Sequence, residues 1–330
     1  MTRVAVVGSY GVGLTMRVPR VPVAGETLSG GEFASGHGGK GSNQAVQAAR
    51  LGAEVTFLTA IGTDAMGESA RRLWADEAVT AHPVVVRDAA TMAGVILVEP
   101  NGENRIVIAS GALDHLEPGH VDERSADLAV ADIVVVSLEI PVAVAVRALE
   151  VAHAGGTRTL LNPAPAASLP DDVWAHVDVV TPNVTEAAIL LGLDPDSPDH
   201  PPEELARLLH ERTGATVLLT RGGDGVTVAD DTGVTTVAAV RAERVVDTTG
   251  AGDAFTAATA VALADGADPI SAARFAARVG SYVVGHHEVI PALPTRAELD
   301  RMADPHTTDL HMTDLQHDQT TVTTPRGPRT

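Results

Sequence analysis

Cysteine is absent from the 330 residues, which excludes disulfides and thiolate chemistry. Aromatic residues make up only 2% of the chain. The core must therefore be assembled from Ala, Val, Leu and Ile, a palette that suits β-strands covered by Ala-rich helices. Basic residues are few: 23 against 43 acidic ones, a net charge of -20. That balance repels nucleic acid and anionic lipid, so neither is an expected partner, and a phosphate-bearing ligand would need local donors. No apolar run is long enough to span a bilayer. No signal peptide precedes the strand-like Val4 to Val7, and the cytoplasm is the expected compartment. What is present is 45% hydrophobic residues, ample for a sizeable core.

Buried-strand runs occur at Arg3 to Gly8, Val55 to Thr59, Ile133 to Val136, Arg158 to Leu161, Val177 to Val180 and Val217 to Thr220. Helical stretches alternate with them: Ser42 to Leu51, Asp64 to Asp76, Val142 to Ala154, Pro202 to Thr213 and Gly252 to Asp265. This alternation predicts a parallel sheet with crossover helices. Two segments break the rhythm. Met16 to Phe33, with prolines at 19 and 22, and Thr91 to Ala109, with a hairpin turn at Pro100-Asn101-Gly102-Glu103, read as strands without helices that form a small separate sheet. From about Ala303 the pattern dissolves into a Thr-rich polar tail, read as disordered. His306, His311 and His317 in that tail, and the pair His286-His287, read as solvated residues rather than metal ligands.

The sharpest chemical signal is Asp247-Thr248-Thr249-Gly250-Ala251-Gly252-Asp253, a small-residue turn leading straight into an Ala-rich helix. Bare amides at a helix N-terminus, together with its dipole, suit the charge of a phosphoryl group in transfer. Asp253 beside them fits a proton acceptor, although a helix-capping role would also place an acid there. A second glycine loop, Gly36-His37-Gly38-Gly39-Lys40-Gly41-Ser42-Asn43, also opens a helix but lacks the Walker spacing. It carries Lys40, the only lysine in the chain, so an ammonium rather than a guanidinium is specified here; a tight turn with an incidental lysine is the alternative. Asn183 and Glu186 in Thr181-Pro182-Asn183-Val184-Thr185-Glu186 have capping-box spacing. Thr220-Arg221-Gly222-Gly223-Asp224-Gly225 follows a strand and is either a simple turn or a place where a nucleotide approaches the backbone closely.

These motifs, in this order, resemble the ribokinase family of sugar kinases, the phosphofructokinase B-type carbohydrate kinases, from residue 3 to about 300. Gly8-Ser9, the run at 22 to 27 (Pro-Val-Ala-Gly-Glu-Thr) and the Asn-Pro-Ala-Pro at 162 to 165 add to the likeness. The resemblance implies a doubly wound, mainly parallel α/β sheet flanked by helices, with a small β-sheet lid. The lid segments would be about 14–36 and 91–109 of a kinase domain over 1–300, leaving 301–330 as tail. It implies ATP-dependent phosphorylation of a primary hydroxyl on a sugar or sugar-like acceptor, with Asp253 as base and the amides of Gly250, Ala251 and Gly252 as an anion hole. By the same resemblance Gly11, Gly13, Gly39, Lys40, Asn43 and Glu139 line the acceptor site. Asn183, Glu186, Thr220, Gly222, Gly225 and Gly252 line the ATP site, and Asn183 and Glu186 help organise Mg²⁺. Asp247 and the carbonyl of Thr249 match ligands of an activating K⁺, beside which Glu288 and Ala292 stand where the family places a glycine and a serine. A homodimer formed through the lid sheet is also implied.

One family feature is missing. The carboxylate that grips two sugar hydroxyls falls on Gly13, read as lying at the end of the first strand, and no Asp or Glu stands between Arg3 and Gly25. Its loss should cost ribose affinity about 2–3 kcal/mol. A kinase for a nucleoside or other non-ribose acceptor, and a nucleotide or metabolite sensor without turnover, are the competing readings. The intact Asp253 motif favours a kinase over a sensor, because a sensor needs no base. A dinucleotide-binding oxidoreductase is disfavoured, since Gly8-x-x-Gly11-x-Gly13 has the wrong spacing and prolines follow it.

Overall fold

The computed structural model describes residues 1–101, 103–195 and 200–302. Its main sheet has nine strands in the order β13-β12-β11-β10-β9-β8-β1-β4-β5. These are β1 (Arg3–Val7), β4 (Glu54–Gly62), β5 (Val79–Val86), β8 (Ile133–Ser137), β9 (Arg158–Asn162), β10 (Val179–Val180), β11 (Thr216–Thr220), β12 (Val226–Asp230) and β13 (Gly233–Val237). The seven from β5 across to β11 run parallel; only β12 and β13 are antiparallel additions. The second sheet has four strands in the order β3-β2-β6-β7: β2 (Gly11–Arg17), β3 (Glu32–Gly38), β6 (Met92–Val98) and β7 (Asn104–Ala109).

The helices are α1 (Lys40–Arg50), α2 (Ala65–Asp76), α3 (Pro118–Asp122), α4 (Ser125–Ala129), α5 (Val142–Ala154), α6 (Val184–Leu190), α7 (Pro202–Thr213), α8 (Ala251–Ala264), α9 (Pro269–Val283) and α10 (Arg296–Arg301). They cover both faces of the main sheet, which is why its strands read as unbroken Val and Leu runs rather than alternating ones. Val4, Val6, Val135 and Leu160 pack with α1, α8 and α9, while Ala5, Val7, Val134, Val136 and Leu161 pack with α5, α6 and α7. Few aromatics are needed, because Ala-rich helices lie close on the sheet: α8 alone buries five alanines.

The structure corrects several expectations. β5 has no counterpart among the strands read from the sequence, because Pro83 interrupts its apolar pattern; it is the outer strand of the sheet, where a missing N–H is tolerated. The β12–β13 hairpin also escaped that reading. Of the segment Met16 to Phe33, only the ends are strand, and the proline-bearing stretch 18–31 between them has none. The small sheet runs wider than 14–36, beginning at Gly11 and reaching Gly38. Gly13 is the third residue of β2 in that sheet, not the end of the first strand. Residues 301 and 302 are ordered at the end of α10, and the tail expectation for 303–330, with its three histidines, lies outside the described residues.

Candidate active site

The site forms where the parallel strands end at their carboxyl edge, and the glycine turn before α8 shapes it. Gly250 caps α8 in the left-handed region (φ 80°), and a Cβ there would come within 2.6 Å of Val289 Cγ1, so the turn admits only glycine. The turn is braced by Asp247, whose Oδ1 accepts from Thr249 N (2.9 Å) and Thr249 Oγ1 (2.7 Å). Of the three amides expected to form an anion hole, that of Ala251 is already engaged, donating to Thr248 O at 3.3 Å.

Asp253 sits in the first turn of α8, 7% exposed. Asn43 Nδ2 donates to its Oδ2 at 2.8 Å and Gln44 Nε2 to its Oδ1 at 3.4 Å, both from α1. Burial raises the Asp253 carboxyl above its ordinary range; Lys40 and the Asn43 hydrogen bond oppose that rise, and Glu139 adds to it. Lys40 is the reciprocal case. Burial pulls its ammonium down, but Asp253, Glu139 and Glu186 together outweigh this, and its pKa is raised. The single lysine therefore stays charged amid three carboxylates. Glu139, two residues past the end of β8, accepts from Ser9 Oγ (2.6 Å) and from Lys40 N (2.9 Å), fixing the start of α1 beside the first strand.

The other wall comes from α6. Asn183 and Glu186 form the expected reciprocal capping box, Glu186 N to Asn183 Oδ1 at 2.8 Å and Asn183 N to Glu186 Oε2 at 2.9 Å. Burial nevertheless raises the Glu186 carboxyl, so capping is not its whole environment. Lys40, Asn183, Glu186, Thr220, Thr249, Gly250, Gly252 and Asp253 line one cleft of about 310 Å³. A neighbouring cleft of about 580 Å³ shares Asn183 and Thr220 with it and adds Arg221 and Gly222. Gly225 closes that loop at φ 94°, where a Cβ would strike Val237 O at 2.2 Å. Two connected clefts, one holding a buried acid and a lysine and the other walled by a glycine turn, suit two substrates meeting at the N-terminus of α8.

Not every expected residue joins them. Gly11 and Gly13 stand in the small sheet, and Gly39, in left-handed backbone (φ 89°), lies against Tyr10 and Gly11. Glu288 is exposed, itself in left-handed backbone (φ 64°), one residue from the Val289 that abuts Gly250. No group of three His, Asp or Glu side chains among the described residues is placed to hold a metal.

The sequence-level reading did not single out Gln44 as a site residue, and gave Asn162 no role. Gln44 Nε2 donates to Asn162 Oδ1 (3.1 Å), whose own Nδ2 donates to Thr181 O (3.0 Å), an amide relay behind Asp253. The available signal was three amides, Asn43, Gln44 and Gln47, on an otherwise Ala-rich buried helix, where polar side chains need a reason.

Comparison with known proteins decides the family. The pfkB family carbohydrate kinase model matches residues 1–296. The chain belongs to the pfkB family of carbohydrate kinases. As a family member it is an ATP-dependent carbohydrate kinase, with the ribokinase-like fold. It is 35% identical over 294 residues to a ribokinase of Haemophilus influenzae, covering 89% of this chain and 95% of that one. It is 36% identical over 255 residues to a deoxyribokinase of Salmonella typhi, covering 76% and 82%. The Arabidopsis thaliana ribokinase solved with ribose and ATP superposes with a TM-score of 0.82 at 28% identity, over 91% of this chain and 98% of that one. Among the described residues no helix is long and apolar enough to cross a membrane.

Proposed function

We propose that this kinase phosphorylates a primary hydroxyl of a sugar-like acceptor with Asp253 as the general base. The observation that carries the reading is a carboxylate buried at a helix N-terminus, raised by burial, held by Asn43 and faced by Lys40. A base pushed upward from the ordinary carboxylate range is better matched to a hydroxyl proton. The acceptor oxygen attacks the γ-phosphorus, the bond from that phosphorus to the bridging oxygen breaks, ADP leaves, and the hydroxyl proton passes to Asp253. Negative charge building on the transferred group is met by the first-turn amides of α8, Gly252 chief among them, and by Lys40. Asn43 Oδ1 and Gln44 Oε1, buried and without a hydrogen-bond partner, are free to accept from an acceptor hydroxyl.

The nucleotide would lie along the larger cleft, on Asn183, Thr220, Gly222 and Gly225. Glu186 spends Oε2 on the cap and keeps Oε1 for the cleft, which fits a role in holding Mg²⁺ through water; bound there, Mg²⁺ would neutralise phosphate charge. A K⁺ would be held beside the α8 turn by Asp247 and the carbonyl of Thr249, with Glu288 the acid next to the Val289 that abuts Gly250. The small sheet would act as a lid on the acceptor. Its outer face carries Met16, Phe33, Val95 and Val107, exposed by 40, 63, 44 and 71%, in one register-matched patch, which supports a homodimer formed through this sheet. A cytoplasmic location fits a kinase fed by cellular ATP. The test is ATP consumption by the wild type and by Asp253→Asn against a panel of pentoses, hexoses, polyols and nucleosides, with and without K⁺. Equal turnover by the two proteins on the best acceptor would refute the assigned base.

A further inference from the structure

Five glycines, Gly11, Gly13, Gly36, Gly38 and Gly94, share one face of the small sheet: Gly11 pairs with Gly38, and Gly13 pairs with both Gly36 and Gly94. The approach to β2 shows which way that face looks. Ser9 turns toward Glu139. Tyr10 turns the opposite way, toward α2, where its hydroxyl meets His37 Nδ1 at 2.8 Å and its ring packs edge-on to Trp74. His37 is register-matched to Val12, so the Val12 face is the α2 side. The glycine face therefore looks toward Glu139 and Lys40, that is, toward the acceptor side of the cleft.

The fold does not demand four of these glycines. None of Gly13, Gly36, Gly38 and Gly94 has a left-handed φ. A Cβ at Gly36 would meet nothing within 4 Å, and at the others it would meet only ordinary contacts, at 3.6 Å from Ile96 Cδ1, 3.8 Å from Gly11 O and 3.9 Å from Ile108 Cγ1. Glycine inside a strand weakens the sheet, so glycine that neither angle nor neighbour requires marks a place where something else approaches the backbone. The side chains bordering the patch are Met92, Ile96, Ile106 and Ile108, and the nearest polar one on that face is Thr15 at its outer end. A sugar hydroxyl laid here would surrender its water hydrogen bonds with no side chain to replace them.

We propose that this face receives the half of the acceptor remote from its reacting hydroxyl, and that this half is a flat ring free of hydroxyls, making the preferred acceptor a nucleoside-like primary alcohol rather than a free pentose. The inference rests on the kinase reading above and adds the substrate class. Peptide planes without Cβ atoms offer a smooth surface for a ring, and the isoleucines of β6 and β7 close one side of it. The experiment compares kcat/KM of the full-length protein for purine and pyrimidine ribonucleosides with that for ribose and 2-deoxyribose. The best nucleoside should exceed ribose by about tenfold or more. Gly36→Val and Gly94→Val, at which a Cβ meets nothing closer than 3.9 Å, should each cut the nucleoside-to-ribose ratio by about tenfold while melting temperature holds or rises. A free pentose outperforming every nucleoside, or valine variants with an unchanged ratio, would overturn the proposal and leave the kinase reading standing. ATP binding without consumption in the presence of any acceptor would overturn the kinase reading and this inference with it.

Discussion

The cleft at the start of α8 and the inner face of the small sheet are built from opposite materials. In the cleft, Lys40, Glu139, Glu186 and Asp253 crowd together with three amide side chains, and burial shifts two of the carboxyls upward. On the sheet, the surface is glycine backbone edged by isoleucine and methionine. Under the proposed function, the difference separates two tasks. Phosphoryl transfer needs charges and amides held rigidly at one point, which helices docked on a parallel sheet supply. Choosing an acceptor needs a surface that can change without disturbing those charges, and a small sheet apart from the main one supplies it.

The comparison predicts that substitutions in the cleft cut turnover and those on the sheet change preference. The largest effect should come from Asp253→Asn, with turnover falling about 10²–10⁴-fold and ATP affinity little altered, as measured by steady-state kinetics and nucleotide titration. The same variant should melt at a higher temperature at pH 7. A raised pKa means the folded state holds this proton to higher pH than the unfolded chain does. The stability linked to Asp253 is therefore full at low pH and declines as pH rises from the ordinary carboxylate range through the raised value. A lower melting temperature than wild type would show that Lys40 and Asn43 more than compensate for burial.

Next in size, Lys40→Met should lower turnover about 10²-fold, and Lys40→Arg should not restore it, because the ammonium sits in a buried site shared by three carboxylates. Full activity of the arginine variant would break the contrast between a rigid cleft and a tolerant sheet. On the sheet side, Gly13→Asp has room for its Cβ, 3.6 Å from Ile96 Cδ1, and should raise ribose phosphorylation by about tenfold at the expense of the native acceptor. No gain, in a variant that folds and binds ATP, would place β2 too far from the acceptor. The smallest effect is a shift in pH dependence. Asn43→Ala removes a hydrogen bond that favours the ionised Asp253, so the acid limb of the kcat profile should move to higher pH.

Much of this was legible in the sequence for identifiable reasons. Pro202–Thr213 and Val142–Ala154 are helices with the bounds their periodicity predicts, and Lys40 and Asp253 each stand in the first turn of a helix that a glycine turn opens. Local signals of that kind act over a few residues and survive in any fold. β5 was missed because Pro83 looks like a strand breaker until its position at the sheet edge is known. Gly13 was assigned to the wrong strand because three residues of turn separate β1 from β2, and nothing in Gly8-Ser9-Tyr10 says that the chain leaves one sheet for another.

The chain's own pattern thus determined the alternating α/β order, the largely aliphatic core and the anion-ready turn before α8, since each follows from periodicity, composition or backbone freedom within a short window. Only the tertiary structure decided that Asn43 and Gln44 from α1 reach Asp253 across 210 and 209 residues of sequence. It alone decided that glycines from β2, β3 and β6 share one face. Both depend on which strands neighbour one another, and strand order is fixed by the packing of the whole sheet rather than by any stretch of residues within it.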